Sequence, residues 1–431
     1  MIFKNIPQIS CPIFSQWQLE DALHTMDECY FTTEHPDLLH GFFGPGGWYG
    51  KEWWAWDYSL TINGVKWIDF KLAEDFIDNM CHGQKPDGRI KLYGADQFGH
   101  IPNVQEEISG SPTYLITIYN VAEACENDET AKKAYQLMAG ALGWWFEKRQ
   151  NKETGLITTI FEEGAPNNDI SPSGVYSPMD ANIFVANGSL GAAKLAQRFG
   201  DEENAVYFRE KGEEIIRAMG KYMWCEEDGC YYPYVQTLKS QYKILLASTF
   251  HGFYLPGKER HERLVSLLTD THVFNWDFIP LTTAAITDPL FAITDGKYIS
   301  GSVCHRGGIW PYANHYAVKA LRAAGYEELA ATLMQKTVNT FAGRYTEFIH
   351  PFNNSQNGEA RYAVTAALCL QLVIEDLFGL SYTKKEGLKL NPCLPACCKN
   401  ANMWLKGIIL PNGEKINVYI DKGEVRVEKE V

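Results

Sequence analysis

Positive charge is scarce in this chain of 431 residues. It carries 39 lysines and arginines against 53 aspartates and glutamates, which gives a formal net charge of −14. A surface with this balance repels the phosphate backbone of nucleic acids and the anionic surface of membranes. We therefore expect neither nucleic acid nor membrane among the partners of this protein.

Long apolar runs are also missing. No stretch approaches the ~18 consecutive apolar residues of a membrane span. The first residues, Met1 to Pro7, do not show the charged segment and apolar run of a secretion signal. With 45% hydrophobic and 13% aromatic residues the chain can bury a large core. These features predict a compact globular protein of the cytoplasm.

Metal-binding patterns are absent from the cysteines and histidines. The 11 cysteines are scattered, and no two of them are spaced as C-x-x-C. Cys397 and Cys398 are adjacent, which is poor geometry for a shared metal. The 11 histidines form no H-x-x-x-H pattern. We predict reduced thiols, no metal and no cofactor.

Helical periodicity dominates what is present. Apolar residues recur at three- and four-residue steps in many segments, as expected for amphipathic helices. The predicted helices cover residues 65–81, 113–125, 131–148, 183–199, 203–219, 259–268, 313–324, 326–341 and 363–377. Short loops alternate with long loops rich in glycine, proline and aromatic residues. This alternation predicts an all-α fold of helical hairpins closed into a ring, with the long loops gathered at one end.

The last part of the chain has a different pattern. From Leu388 onwards apolar and polar residues alternate, and Asn412-Gly413 and Lys422-Gly423 are typical of hairpin turns. A β segment of this size is too short to fold alone. We predict a catalytic helical domain over residues 1–385 and a small β appendage over residues 386–431 that packs on it.

The densest aromatic cluster lies between residues 44 and 57. Tyr49, Trp54 and Trp56 stand next to Asp57. Sugar rings bind to flat aromatic faces and place their hydroxyls against fixed acceptors, so this composition suits a wall for one sugar ring. An ordinary aromatic core is the alternative. The nearby glycines and proline indicate a loop that enters a helix, which favours the binding wall.

Two acidic segments follow. Three acids lie between Glu162 and Pro172, and Asp180 comes shortly after. Acids around prolines are also typical of a solvated turn. The second segment places Glu347 between aromatic residues, where apolar surroundings raise the pKa of a carboxyl or reserve its charge for one task.

A third polar segment runs from His305 to Asn314. Arg306, Trp310 and Asn314 lead from a glycine-rich loop into a predicted helix. This arrangement suits side chains that donate hydrogen bonds to ligand hydroxyls.

Together these motifs resemble the inverting glycoside hydrolases with an (α/α)6 toroid. The resemblance is greatest to family 63, with its mannosylglycerate and glucosylglycerate hydrolases, and family 37 trehalases are relatives. It implies that Asp169 is the general acid and Glu347 the general base. The residues that it assigns to substrate binding are Tyr49, Trp54, Trp56, Asp57, Arg306, Trp310 and Asn314.

The same resemblance implies a reaction. A small α-linked glucoside or mannoside would be cleaved from its non-reducing end with inversion of the anomeric configuration, and no cofactor is needed. Because extra residues separate Gly164 from Asp169, Glu163 and Asp180 remain alternatives for the acid. His305 and Gly308 replace a tryptophan and a proline of the family pattern, which leaves the identity of the sugar open.

Two other classes of function stay possible at this point. The same toroid hosts sugar epimerases that move protons with histidines, and His305, His315 and His350 lie in or beside the predicted site. A sugar-binding protein without catalysis would keep the aromatic wall. Release of reducing sugar from a glycoside separates a hydrolase from both. Neither the sugar nor the oligomeric state is indicated by the sequence.

Overall fold

A computed structural model describes residues 1–32, 34–94, 108–160, 163–164, 176–293 and 305–430. Helices are the main regular structure of these residues, and a separate β-rich part lies near the C-terminus. The α-helices are α1 (Gln16–Glu28), α2 (Ala55–Val65), α3 (Phe70–Gly83), α4 (Thr113–Ala124), α5 (Asp128–Lys148), α6 (Met179–Arg198), α7 (Glu202–Tyr222), α8 (Lys258–Leu268), α9 (Thr271–Phe274), α10 (Pro311–Ala323), α11 (Glu327–Phe341) and α12 (Ala363–Gln371).

Helical segments of other types and short strands complete the helical part. Two 3-10 helices cover Gly47–Tyr49 and Ala247–Tyr254, and a π-helix, Leu372–Leu377, continues α12. The strands of this part are β1 (Gln8–Ser10), β2 (Tyr30–Phe31), β3 (Phe42–Phe43), β4 (Trp53–Trp54), β5 (Tyr93–Gly94), β6 (Tyr176–Ser177), β7 (Trp224–Cys225), β8 (Cys230–Tyr231), β9 (Tyr234–Val235), β10 (Ser240–Gln241), β11 (Phe348–Ile349) and β12 (Gln356–Asn357).

Six helical segments follow one another in a cycle of contacts. Helix α2 packs on α4, α4 on α6, and α6 on the 3-10 helix Ala247–Tyr254. That helix contacts α10, α10 contacts α12, and α12 returns to α2. Helices α1, α3, α5, α7, α8 and α11 pack on the outside of this inner set. The main core is an apolar cluster that spans both sets, and two small clusters lie apart from it.

The structure corrects the first predicted helix. The periodic segment 65–81 is divided, because α2 ends at Val65 and α3 begins only at Phe70. The side chain of Asp69 caps α3 by accepting a hydrogen bond from the Lys71 amide at 3.1 Å. Helix α1 was not predicted, although Ser15 and Gln18 form a capping box at its start.

The C-terminal part contains the predicted hairpins. Its strands are β13 (Leu380–Thr383), β14 (Gly387–Leu390), β15 (Asn402–Ile409), β16 (Lys415–Asp421) and β17 (Glu424–Lys429). Strands β15, β16 and β17 pair in order, with turns at Asn412-Gly413 and Lys422-Gly423. Strand β1 joins the other edge of this sheet, where Ile9 lies opposite Leu405. The hairpin β13–β14 spans the predicted domain limit at residue 385.

Candidate active site

The first turns of several inner helices line a small cavity. Its walls include Trp56 from α2, Asp180 and Phe184 from α6, His251 from the 3-10 helix, and Tyr312 from α10. These residues are far apart in the sequence, and the inner helices bring them together at one end. The cavity therefore lies where the predicted long loops were expected to meet.

Glu347 is held in a fixed position immediately before β11. It is 2% exposed, and its Oε1 accepts a hydrogen bond from the Tyr49 hydroxyl at 3.1 Å. Its Oε2 accepts a hydrogen bond from the amide of Glu359 at 2.9 Å. Gly358 has φ +70°, and a Cβ atom there would lie 2.4 Å from this oxygen. Only glycine fits this backbone beside the carboxylate.

Asp57, in the first turn of α2, is connected to Glu347 through Tyr362. Its Oδ1 accepts a hydrogen bond from the Tyr362 hydroxyl at 2.5 Å. Burial raises the pKa of Asp57 to about 6, although the hydrogen bond from Tyr362 opposes this shift. Burial and then the charges of Asp57 and Glu347 raise the pKa of the Tyr362 hydroxyl. The charges of both carboxylates thus raise the pKa of the same tyrosine hydroxyl.

The raised pKa of Asp57 predicts a pH-dependent stability effect of Asp57→Asn. The folded-state pKa of about 6 exceeds the ordinary value of 3.8, so the folded state keeps a proton that the unfolded state releases. The free energy of unfolding of the wild type therefore falls as the pH rises between these two pKa values, because Asp57 must then ionise while it is buried. Asparagine does not ionise, so the variant does not lose this stability. We expect the variant to gain roughly 3 kcal/mol relative to wild type between pH 4 and pH 7.

Denaturant unfolding of both proteins across this pH range measures the effect. A stability difference that stays constant with pH would contradict a protonated Asp57 in the folded state. The same variant should have reduced activity if the carboxylate orients the sugar.

The predicted tryptophans differ in their environments. Trp56 is half-buried, and within the described residues its indole N–H has no acceptor. Trp54 stacks on Tyr93 with ring centroids 4.6 Å apart. Trp310 has His305 stacked at 4.4 Å and Phe348 stacked at 5.2 Å, and it is 2% exposed. Trp56 therefore keeps an indole N–H without an acceptor among these residues, whereas the ring of Trp310 is covered by the rings of His305 and Phe348.

Asn314 and Arg306 complete the predicted binding set. The Asn314 amide donates to the carbonyls of Leu281 and Trp310, both at 2.9 Å, and its Oδ1 accepts from the Leu281 amide at 2.7 Å. These bonds hold the Leu281 segment against the start of α10. Arg306 is half-buried directly after His305, which stacks at 6.1 Å on Trp56.

The candidate acids occupy different surroundings. Asp169 lies outside the described residues. Glu163 is fully buried, and its carboxylate accepts two hydrogen bonds from Arg149, at 2.6 and 2.7 Å, and others from the amides of Ser109 and Ile160. Burial raises the pKa of Glu163, and the salt bridge with Arg149 opposes this. Asp180 lines the cavity, 3% exposed, in the first turn of α6.

Several residues of the candidate site were missed by the sequence analysis. Tyr362, which is bonded to Asp57, and His251, which lines the cavity, stand in no recognisable motif, and only the packing of distant helices brings them to the site. Phe184 lies within a periodic helix, where an aromatic residue is typical of a core. Tyr312 could have been found, because it follows Trp310 within the segment that was singled out.

A comparison with known families identifies the class of domain. Residues 50–365 match the model of the mannosylglycerate hydrolase MGH1-like glycoside hydrolase domain. The chain belongs to this family and carries a glycoside hydrolase domain. The predicted resemblance is confirmed.

Individual relatives are also similar to this chain. An uncharacterized protein of Borreliella burgdorferi is 24% identical over an alignment of 307 residues that covers 64% of this chain. The chain spans 60% of the length of that curated relative. The solved family 63 mannosylglycerate hydrolase of Thermus thermophilus, in complex with glucose, is similar with a TM-score of 0.64, 16% identity, and coverage of 82% of this chain and 99% of that chain. Neutral trehalase from Saccharomyces cerevisiae is similar with a TM-score of 0.56, 14% identity, and coverage of 77% and 73%. These structures share the fold.

Two kinds of feature are missing from the described residues. No helix in this part of the chain is long and apolar enough to cross a membrane. The same residues contain no group of three or more histidines, cysteines or acids arranged to hold a metal ion.

Proposed function

We propose that this protein hydrolyses a small α-linked glucoside or mannoside from the non-reducing end with inversion. The observation that carries the proposal is a pair of buried carboxylates, Asp57 and Glu347, whose charges both act on Tyr362. Glu347 is bonded to the Tyr49 hydroxyl and Asp57 to the Tyr362 hydroxyl. A buried, hydrogen-bonded carboxylate is suited to deprotonating a water molecule, and a second carboxylate beside it orients the sugar. No cofactor is required for this chemistry.

In this mechanism Asp169 protonates the glycosidic oxygen while Glu347 activates the attacking water. Inverting enzymes hold their two carboxyl groups roughly 6.5 to 9.5 Å apart, so that a water molecule fits between the base and the anomeric carbon. Glu163 is a poor substitute for Asp169, because four hydrogen bonds already occupy its carboxylate. Asp180 remains the alternative acid, because it lines the pocket.

We also propose that the cycle of inner helices closes an (α/α)6 toroid. The contacts from α2 through α12 and back to α2 support this architecture. The division into a helical domain, residues 1–385, and a β appendage, residues 386–431, is part of the same proposal. The sheet of β15, β16 and β17 supports this division. Strand β1 pairs with β15 and so connects the two parts.

The cysteines and the net charge support the proposed location and partners. All ten cysteines within the described residues are free thiols, which favours a reducing compartment such as the cytoplasm. A small glycoside is the proposed partner. The negative net charge of −14 argues against nucleic acid.

A histidine-dependent epimerase is less well supported. Burial lowers the pKa of His305 and of His315 to about 3, so both imidazoles are neutral and weakly basic at pH 7. The Nδ1 atom of His350 accepts hydrogen bonds from the amides of Phe352 and Asn353, which fixes a turn. A binding protein without turnover would release no sugar from any glycoside.

The stereochemistry of the product tests the mechanism without requiring the natural substrate. If water attacks from the face opposite the leaving group, an α-glycoside must first release the β-anomer. Proton NMR during the first minutes of turnover distinguishes the anomers before they equilibrate. First release of the α-anomer would mean double displacement and would remove Glu347 from the role of base.

A further inference from the structure

A second cavity lies at the C-terminal turns of α11, apart from the proposed active site. It has a volume of about 340 Å³ and is bounded by residues of the 278–280 segment and of the turn at 350–354. This volume falls in the range of sites for small organic ligands. Among the described residues, its lining contains the cations Lys336 and Arg344 and no aspartate or glutamate.

Both cations lack a salt bridge in the described part of the chain. Lys336 lies 4.2 Å from the centre of the Trp276 ring. Arg344 donates to the carbonyl of Thr340 and to Asn354, both of which are neutral. By contrast, Lys319 on the neighbouring helix α10 is paired with Glu375 and Asp376. Asp277 contributes a nearby negative charge to Lys336, but the two side chains form no salt bridge.

Burial costs these two groups part of their solvation. It lowers the pKa of Lys336, and the charge of Asp277 opposes this shift only in part. Burial also lowers the pKa of Arg344. An anion in the cavity would offset this cost, because charge-assisted hydrogen bonds to an oxyanion are stronger than neutral ones.

The lining also includes an apolar stretch. Phe278, Ile279 and Pro280 form it, and Phe278 is 77% exposed. An exposed aromatic ring is suited to the flat C–H face of a sugar ring. The cavity therefore combines a cationic end with an apolar face, and its volume exceeds that needed by a phosphate ion alone.

We propose that this cavity binds a phosphorylated monosaccharide. The phosphate lies between Lys336 and Arg344, and the sugar ring lies against Phe278. The site does not depend on the proposed hydrolysis. His350 and Pro351 in its wall follow Glu347 closely in the chain, so an occupied site contacts the segment that carries the proposed base.

Calorimetric titration with glucose 6-phosphate tests the site. Glucose at equal concentration in cell and syringe fills the catalytic pocket, and inorganic phosphate is titrated separately. We expect glucose 6-phosphate to bind with one site per chain, more tightly than inorganic phosphate and more weakly at high salt. Absence of binding, or equal affinity for both ligands, would overturn the proposal.

Three variants locate the ligand. Lys336→Gln should weaken glucose 6-phosphate binding about 10- to 100-fold, as expected for loss of one hydrogen bond to a charged group. Phe278→Ala should weaken glucose 6-phosphate binding and leave phosphate binding unchanged. Lys258→Gln removes an equal charge from a side chain that is 88% exposed on α8, and it should leave both affinities unchanged. Wild-type affinity in Lys336→Gln, with an unchanged melting temperature, would exclude this cavity.

Discussion

Replacement of Glu347 by glutamine should lower kcat by about 10² to 10⁴ while the fold is retained. The amide has nearly the same shape: its one oxygen can accept the hydrogen bond from the Glu359 amide, and its NH2 group can donate to the Tyr49 hydroxyl oxygen. It cannot deprotonate water. Steady-state hydrolysis of an aryl α-glycoside measures the loss, and thermal unfolding measures the retained fold.

A surface glutamate supplies the matched control. Glu328→Gln changes a side chain that is 89% exposed on α11, and its activity should equal that of wild type. Near-wild-type turnover of Glu347→Gln would withdraw the role of base from this residue. A variant that loses both activity and stability would indicate a structural role at Gly358 and Glu347 instead.

Asp169→Asn should cause a loss of similar size, but one that depends on the leaving group. A general acid matters most when the departing oxygen is strongly basic and least when it is already stabilised. We therefore expect the variant to lose about 10² to 10⁴ in kcat on an alkyl glycoside and much less on a nitrophenyl glycoside. The ratio of the two losses is the measurement.

Asp180→Asn is the companion variant. If Asp180 only positions the substrate, its loss should be the same for both leaving groups. A leaving-group dependence in Asp180→Asn, with none in Asp169→Asn, would identify Asp180 as the general acid and Asp169 as a residue that positions the substrate.

Most helices could be predicted from the sequence, whereas α2 could not. The segments that became α5 and α7 alternate apolar and polar residues with the helical period. Helix α12 is buried throughout, but its alanines and leucines favour a helix. In α2 nearly every residue is buried as well, including Ser59, Thr61 and Asn63, so no periodic polar face is present. Serine, threonine and asparagine also have a low helix propensity, so neither periodicity nor composition indicated α2.

Part of the candidate site could be predicted from the sequence, because some of its residues form local motifs. Motifs that are local in sequence, such as Trp56-Asp57 and the segment around Glu347, could be singled out. The hydrogen bond between Asp57 and Tyr362 joins residues 305 positions apart, and no local pattern encodes it. The covered faces of Trp310 could not be foreseen either, because His305 and Phe348 reach it from two loops.

The contact of α12 with α2 has a consequence for how the chain folds during synthesis. Residues near position 363 must leave the ribosome before the helices around Asp57 gain their last neighbour. Contacts between such distant segments form slowly, because the long intervening chain must first be ordered. Until then α2 leaves its apolar sides uncovered, which exposes the growing chain to aggregation. Asp57 and Glu347 therefore come together only when most of the polypeptide has been made, and shorter nascent chains have no assembled pocket.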